Sequence, residues 1–387
     1  MTSRREFLRG VGVTTAMAAM YSRELVAELV ATSPSGRVLE TKFKGLADIA
    51  LAEGKLGGCS YTDIRFTMTA SPPGATASFR ADGGGAGGRG GRGGGGGGGG
   101  GFGGRGGGGG RGGGAQIREI PTDANRQAAG FGVRVVHSGV WGFASSPIVT
   151  EDEIKRITRL AVEVAKASAI AKKANLVLAP VPAYVANYVT PMVKPPFSVT
   201  QTDKQAWAQA IVDKAKAVSG VTVVNVSANH GYEWRYFASS EGSYIEQEFY
   251  STTPTMSVTA KVGDITRTRN YPGVASMGGW EVAEKTDFLQ AAERVANEAV
   301  EMCTAKPLGS SGLRDLILSP SHAMLTIHEI VAHATELDRV VGYEANYAGT
   351  SFVKVSDLNK LRYGSKLMNI TADKTDENAF THDRELL

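Results

Sequence analysis

A glycine-rich stretch interrupts this chain and separates the residues that can fold around a core from those that cannot. Of the 50 glycines in 387 residues, 26 lie between Gly83 and Gly114. Glycine has no side chain to bury and loses the most backbone entropy on folding. We therefore predict a flexible surface loop over 83–114, since the cost of closing a loop grows only logarithmically with its length.

The same stretch accounts for the net charge of the chain. It holds four arginines and no acidic residue, whereas the whole chain has a net charge of +4, so the remainder is close to neutral. A neutral body argues against a broad nucleic-acid surface outside the stretch. Its Arg-Gly-Gly triplets are similar to disordered RNA-binding segments, but Phe102 is the only aromatic residue there. RNA binding is thus a minor alternative to a low-complexity insertion.

The first residues are typical of an export signal. Arg4 and Arg5 precede Phe7-Leu8 and a mildly apolar stretch that ends at Met20, as in twin-arginine signals. We expect a signal segment over 1–31 and a periplasmic or extracellular location, or a cytoplasmic one if the signal is not used. An amphipathic first helix is the alternative. No run approaches the roughly 18 apolar residues of a membrane span.

The rest of the chain alternates helical and extended patterns. The two cysteines, Cys59 and Cys303, exclude a disulfide framework and a cysteine-based metal cluster. Apolar spacing predicts helices over 37–55, 203–218 and 288–305, and a capped helix that begins after Thr150. It predicts strands over 60–69, 131–136, 140–144, 221–228, 232–239, 244–250 and 256–262, with turns at 229–231 and 240–242. This order favours an α+β fold of antiparallel sheets with flanking helices.

Residues near position 330 are candidates for metal binding. Three of the six histidines, His322, His328 and His333, fall within twelve residues, and the last two form the pattern H-E-x-x-x-H with Glu329. The zinc-protease motif H-E-x-x-H has one residue fewer. At about 100° per residue, histidines five apart differ by about 140° on an α-helix. Both can bind one ion only if the helix absorbs a residue, most simply in a π-bulge. The alternative is a buried helix whose histidines are bonded to neighbouring polar groups.

The surroundings of this motif resemble the TldD/PmbA family of metallopeptidases. The acids Glu336 and Asp338 follow the motif, and further segments in the same order span residues 40 to 375. These segments are Tyr61-Thr-Asp-Ile-Arg65, Gly130-Phe-Gly-Val-Arg-Val-Val136, Gly139-Val-Trp-Gly-Phe-Ala144, Glu344-Ala-Asn-Tyr-Ala-Gly-Thr-Ser-Phe352 and Tyr363-Gly-Ser365. The chain differs from the family in having Ala332 and Ala334 where glycines are common.

The resemblance implies a zinc-dependent peptidase that acts on peptides or unfolded segments. His328 and His333 would bind Zn²⁺, and Glu329 would act as general base on the attacking water and pass the proton to the leaving amine. Glu336 and Asp338 would orient a histidine N–H, although salt bridges on the helix surface are an equal alternative. A homodimer, or a heterodimer with a paralogous subunit, is also implied.

The resemblance also sets the expected domain boundaries. We expect the signal segment 1–31, an N-terminal α+β domain over 36–170 with the insertion 83–114, a central α+β region over 171–265, and a metallopeptidase domain over 266–387. The family takes a third ligand, a cysteine, from its C-terminal domain, and no cysteine follows His333. We therefore expect the last domain to be truncated, with no spacing argument for His382 as a substitute. A non-catalytic partner subunit or an inactive member of the family is the alternative function.

Overall fold

A computed structural model describes residues 41–81, 128–307, 309 and 311–372. The predicted signal segment, the glycine-rich stretch and His382 lie outside these residues. The chain divides into two compact units, and the boundary falls between Ala305 and Lys306. No helix among the described residues is both long enough and apolar enough to cross a membrane.

The first unit is an α+β structure built on one mixed sheet. Its strands are β1 Tyr61–Ala70, β2 Ala75–Arg80, β3 Ala128–His137, β4 Val140–Ser146, β5 Val185–Val189, β6 Val221–Ser239, β7 Tyr244–Val262, β8 Ile265–Pro272 and β9 Ser276–Met277. Its helices are α1 Thr41–Leu56, α2 Glu151–Ser168, α3 Gln201–Lys216, α4 Glu281–Glu284 and α5 Phe288–Thr304. The predicted fold class is confirmed, and every described strand pairing is antiparallel except that of β5 with β7.

The sheet is organised around two long strands. The strand order is β4-β3-β1-β6-β7-β5, with β2 on β6 and with β8 and β9 on β7. The hairpin predicted around residue 138 is confirmed: Ser138 and Gly139 both have positive φ between β3 and β4, as tight hairpin turns require. Thr150 caps α2 by accepting a hydrogen bond from the backbone N–H of Glu153, as predicted.

The predicted turn at 229–231 is wrong, because β6 runs through it without a break. The pairing of β6 with β7 continues from Val223 opposite Thr259 to Ala238 opposite Tyr244. The four strands predicted over 221–262 are therefore two, separated by the turn at 240–242. Gly231 serves a close approach rather than a turn, since a Cβ at this position would lie 2.7 Å from Ser251 Oγ.

Helices cover one face of the sheet at both ends of β6. Alternate side chains from Val224 to Ala238 are buried, so they share one face of the sheet. At one end Trp234 and Tyr236 pack with α1 and α2, where the ring of Phe43 lies 4.6 Å from that of Trp234. At the other end Val224 packs with α3 and α5. Burial of each such large apolar side chain contributes about 1.5–3 kcal/mol.

The boundary between the two compact units lies 40 residues after the expected domain boundary at 265/266. The predicted boundary at 265/266 would separate β8 and α5 from the sheet. In the structure β8 pairs with β7 along its whole length, and α5 contributes Val295 and Ala299 to the core under β6. This packing keeps residues up to Ala305 in the first unit.

His230 occupies the middle of β6 and is 4% exposed. Its Nδ1 lies 2.8 Å from the hydroxyl of Thr252, which itself donates to the carbonyl of Gly279. The Thr252 oxygen therefore accepts from His230. Burial, together with the nearby Lys204 ammonium, lowers the pKa of His230 to about 4, against the opposing effect of the Glu281 carboxylate.

This histidine should make the first unit less stable in acid. The unfolded imidazole has a pKa near 6.5, so the unfolded state binds a proton first as the pH falls. The contribution of neutral His230 to the free energy of unfolding is complete above pH 6.5. It decreases by about 3 kcal/mol as the pH falls from 6.5 to 4. We expect urea unfolding, followed by tryptophan fluorescence, to show this slope, and His230→Asn to remove most of it. The matched variant His137→Asn should keep the slope, and an unaltered slope in His230→Asn would contradict this assignment.

Candidate metal centre

The second unit contains the helix that carries the H-E-x-x-x-H pattern. Helix α6, Pro320–Ile327, begins with a proline in its first turn after Ser319, which has an extended backbone. Proline suits this position because its fixed φ is helical and its missing N–H would have no partner there. The helix continues through a π-helical turn, His328–Ala332, into α7, His333–Thr335. A short helix α8, Leu337–Val340, follows.

The structure contains the π-bulge that the histidine spacing requires if both histidines are to bind one ion. The backbone N–H of His333 donates to the carbonyl of His328, five residues earlier. An α-helix would bond residues four apart, so this turn accommodates one extra residue. Five residues then complete a single turn, and the two imidazoles lie on one side of the helix, with ring centroids 4.4 Å apart.

Glu329 joins the two histidines in one group. One ligand atom from each of His328, Glu329 and His333 lies within 4.8 Å of the others. The closest measured approach to the carboxylate is 3.9 Å, from His333 Nε2 to Glu329 Oε2. The side chain of Glu329 is 60% exposed and that of His333 is 26% exposed. Within this unit both side chains are therefore in contact with solvent.

The second nitrogen of His333 is held by a carboxylate. Its Nδ1 lies 2.6 Å from Glu336 Oε1, and the guanidinium of Arg339 lies 3.4 Å from the other oxygen of Glu336. A carboxylate accepts, so Nδ1 donates its proton to Glu336, and in the neutral imidazole the lone pair then lies on Nε2, the nitrogen that is 3.9 Å from Glu329. Metal-binding histidines characteristically have such an outer hydrogen bond. Asp338 instead accepts from the backbone N–H of Arg339.

The donor set fits a zinc ion. Neutral imidazoles and a carboxylate are zinc ligands at about 2.0–2.2 Å, so two of them on one ion lie no more than about 4.4 Å apart. The three groups, whose ligand atoms lie within 4.8 Å of one another, are therefore close to that range. His322 lies in α6 and does not belong to the group. Cys59 and Cys303 are free thiols of the first unit.

Family models match two parts of the first unit. Residues 124–165 match PmbA/TldA metallopeptidase domain 1, and residues 194–303 match the PmbA/TldA metallopeptidase central domain. A metalloprotease of Methanocaldococcus jannaschii is 30% identical over 262 residues, which are 65% of this chain and 54% of that protein. The two family models and the curated relatives together support a member of the PmbA/TldD family.

Other family members match over similar lengths. A metalloprotease of Methanothermobacter thermautotrophicus is 27% identical, over 56% of this chain and 45% of that protein. A metalloprotease of Synechocystis is 27% identical, over 65% of this chain and 51% of that protein. The chain thus spans about half the length of the curated relatives it matches. The solved structure of TldE from Thermococcus kodakarensis covers 65% of this chain and 47% of its own, at 13% identity and a TM-score of 0.40.

The structure brings together most of the residues that the sequence singles out as a candidate metal site. It places His328, Glu329, His333 and Glu336 in one contact group, whereas Asp338 points to its neighbour's backbone. Arg339, which the sequence analysis missed, completes the group. Its position three residues after Glu336 is the helical ion-pair spacing that could have indicated it.

The bond from Glu336 to His333 gives a test of the centre. Glu336→Ala should weaken zinc binding to the full chain at least about tenfold, because the imidazole loses the partner that fixes its orientation. Isothermal titration calorimetry with zinc measures the change. Asp338→Ala is the matched control and should leave the affinity unchanged, since the carboxylate of Asp338 does not contact His333. Equal affinities for Glu336→Ala and the unaltered chain would contradict the described role of Glu336.

Proposed function

We propose that this chain carries the metal-binding part of a zinc-dependent metallopeptidase that hydrolyses peptide bonds in peptides or unfolded segments. The observation that carries the proposal is the π-helical turn, which places His328, Glu329 and His333 within 4.8 Å of one another. The metalloprotease names of the curated relatives and the metallopeptidase family models support it. The bland alternative of two buried histidines bonded to neighbours is disfavoured, because His328 is exposed and His333 is only half-buried.

Each residue of the group has a defined part in this proposal. The imidazoles of His328 and His333 would hold the ion, with His333 kept in one tautomer by Glu336. Bound zinc would lower the pKa of a water molecule toward 7 and polarise the scissile carbonyl. The carboxylate of Glu329 would remove a proton from the attacking water and deliver it to the nitrogen of the leaving amine. The exposure of Glu329 allows the peptide nitrogen to approach it.

One observation favours the alternative, a non-catalytic partner subunit. If Glu329 acts as the base, the described group supplies two zinc ligands, His328 and His333, whereas catalytic zinc sites use three protein ligands. The two functions predict different peptide turnover. A peptidase binds about one zinc per chain and turns over peptide, while a partner subunit shows no turnover at any zinc concentration.

The role of Glu329 gives the decisive variant. Glu329→Gln should retain zinc and lose peptide hydrolysis by a factor of at least about 100, because the amide cannot accept the proton. Zinc content by atomic emission and cleavage of a fluorogenic peptide library measure the two properties. Glu301→Gln, on the exposed end of α5, is the matched control and should keep both. Hydrolysis by Glu329→Gln at the unaltered rate would exclude this mechanism.

We also propose that the chain is exported by the twin-arginine route, on the basis of Arg4 and Arg5. Replacing both with lysine should retain the protein in the cytoplasm of a host with a twin-arginine translocase, because that signal requires paired arginines. Cell fractionation measures the outcome. The matched control replaces Arg9 with lysine and should be exported; export of the double variant at the unaltered level would rule out the route. Dimer formation, implied by the family resemblance, stays a prediction.

A further inference from the structure

We propose that Tyr363, supported by Ser351, is a positioning residue that keeps the helix in its π-helical form and so holds His328 and His333 side by side. The inference rests on the proposed metal site, but the contact itself is independent of any metal. Tyr363 is 30 residues beyond His333, and its hydroxyl donates to the carbonyl of Ile330, inside the π-helical turn.

Backbone carbonyls of this turn and of the helix after it accept hydrogen bonds from side chains. An inserted residue shifts each amide one position along, and the last carbonyls of a helix lack intrahelical partners in any case. Side chains supply them here. Thr335 Oγ1 donates to the carbonyl of Val331 at 2.9 Å, and Ser351 Oγ donates to the carbonyl of Ala334 at 2.6 Å. Tyr363 completes this set at Ile330.

The segment that carries these donors is itself fixed. Ser351 Oγ accepts from the backbone N–H of Val353 at 3.0 Å while it donates to Ala334. The ring of Tyr363 lies 5.5 Å from that of Phe352. The two ends of residues 351–363 are thus attached to the metal-binding helix at positions four residues apart, Ile330 and Ala334. A shift of the helix into a regular α-helical register would break both attachments.

The described contacts of this turn are polar. None of the described residues from Lys306 onward is buried, and the restraints seen on the turn are side-chain hydrogen bonds. Without the Tyr363 bond the extra residue can move along the helix more readily, and in the regular α-helical form that competes with the π-helical one the two imidazoles diverge by about 140°. The Tyr363 hydroxyl proton is engaged by a backbone carbonyl, so the residue acts through the histidines rather than on a substrate.

The test uses Tyr363→Phe in the full chain, which keeps the ring and removes only the hydroxyl. Histidine-selective ¹⁵N labelling gives six backbone signals, and amide exchange at His333 reports the bond to His328 without metal. We expect exchange to accelerate about fivefold, the effect of losing one hydrogen bond. Cobalt(II) binding should weaken about tenfold, with a changed visible absorption spectrum, because the ligand orientation is altered.

Matched variants separate this inference from a general loss of folding. Tyr347→Phe, at a tyrosine that is 89% exposed, should behave like the unaltered chain. Ser351→Ala should act in the same direction as Tyr363→Phe, and Ser351→Thr, which keeps the hydroxyl, should restore the signals. Unchanged His333 exchange in Tyr363→Phe would overturn the inference whether or not metal binds. Accelerated exchange in a chain that binds no cobalt would support the inference and reject the proposed metal function.

Discussion

The hydrogen bond from the backbone N–H of His333 to the carbonyl of His328 is the constraint on which the candidate centre depends. It makes five residues occupy one turn, so that a spacing unsuited to an α-helix becomes a chelating one. Glu329 then lies within the same group, because it directly follows the first histidine. The metal-binding arrangement of this unit therefore depends on one extra residue in the helical turn, in addition to the identity of the side chains.

The first unit is held by a different kind of interaction. Strand β6 pairs with β7 through the position where the sequence predicted a turn, and its alternate side chains unite the cores under both groups of helices. His230 lies at the junction and is kept neutral by burial. A continuous strand can hold a buried imidazole there because Thr252, on the neighbouring strand, satisfies its Nδ1. Strand pairing thus supplies the hydrogen-bond partner of the Nδ1 atom of this buried residue.

Features that depend on neighbours along the chain could be predicted from the sequence, whereas features that depend on residues distant in the chain could not. Patterns within one element, such as the apolar stripe of α2 and the histidine spacing, predicted the helix and the π-helical turn, because both depend on neighbours along the chain. The prediction of a turn at 229–231 was wrong because Gly231 allows a close approach to Ser251 on the neighbouring strand. The sequence analysis missed the edge strands β2, β5 and β8. Such strands are short or polar, and they form because a neighbouring strand offers backbone hydrogen bonds. Tyr363 was likewise invisible to spacing, because its partner lies 33 residues away.

The described contacts that restrain the candidate centre are side-chain hydrogen bonds, since none of the described residues from Lys306 onward is buried. A helix of this length is marginal in water without tertiary packing, and each hydrogen bond from Thr335, Ser351 or Tyr363 contributes only about 1 kcal/mol. An ion bound by His328 and His333 would add its binding free energy to that of these bonds, since metal-binding free energy acts as folding free energy where the site is not rigidly preformed. The side-chain bonds therefore select which turn the helix adopts, and an ion would determine how persistently it adopts it. Several weak hydrogen bonds would thus favour the π-helical turn, and a bound ion would then stabilise it. This arrangement suits two histidines that a regular α-helix would keep apart.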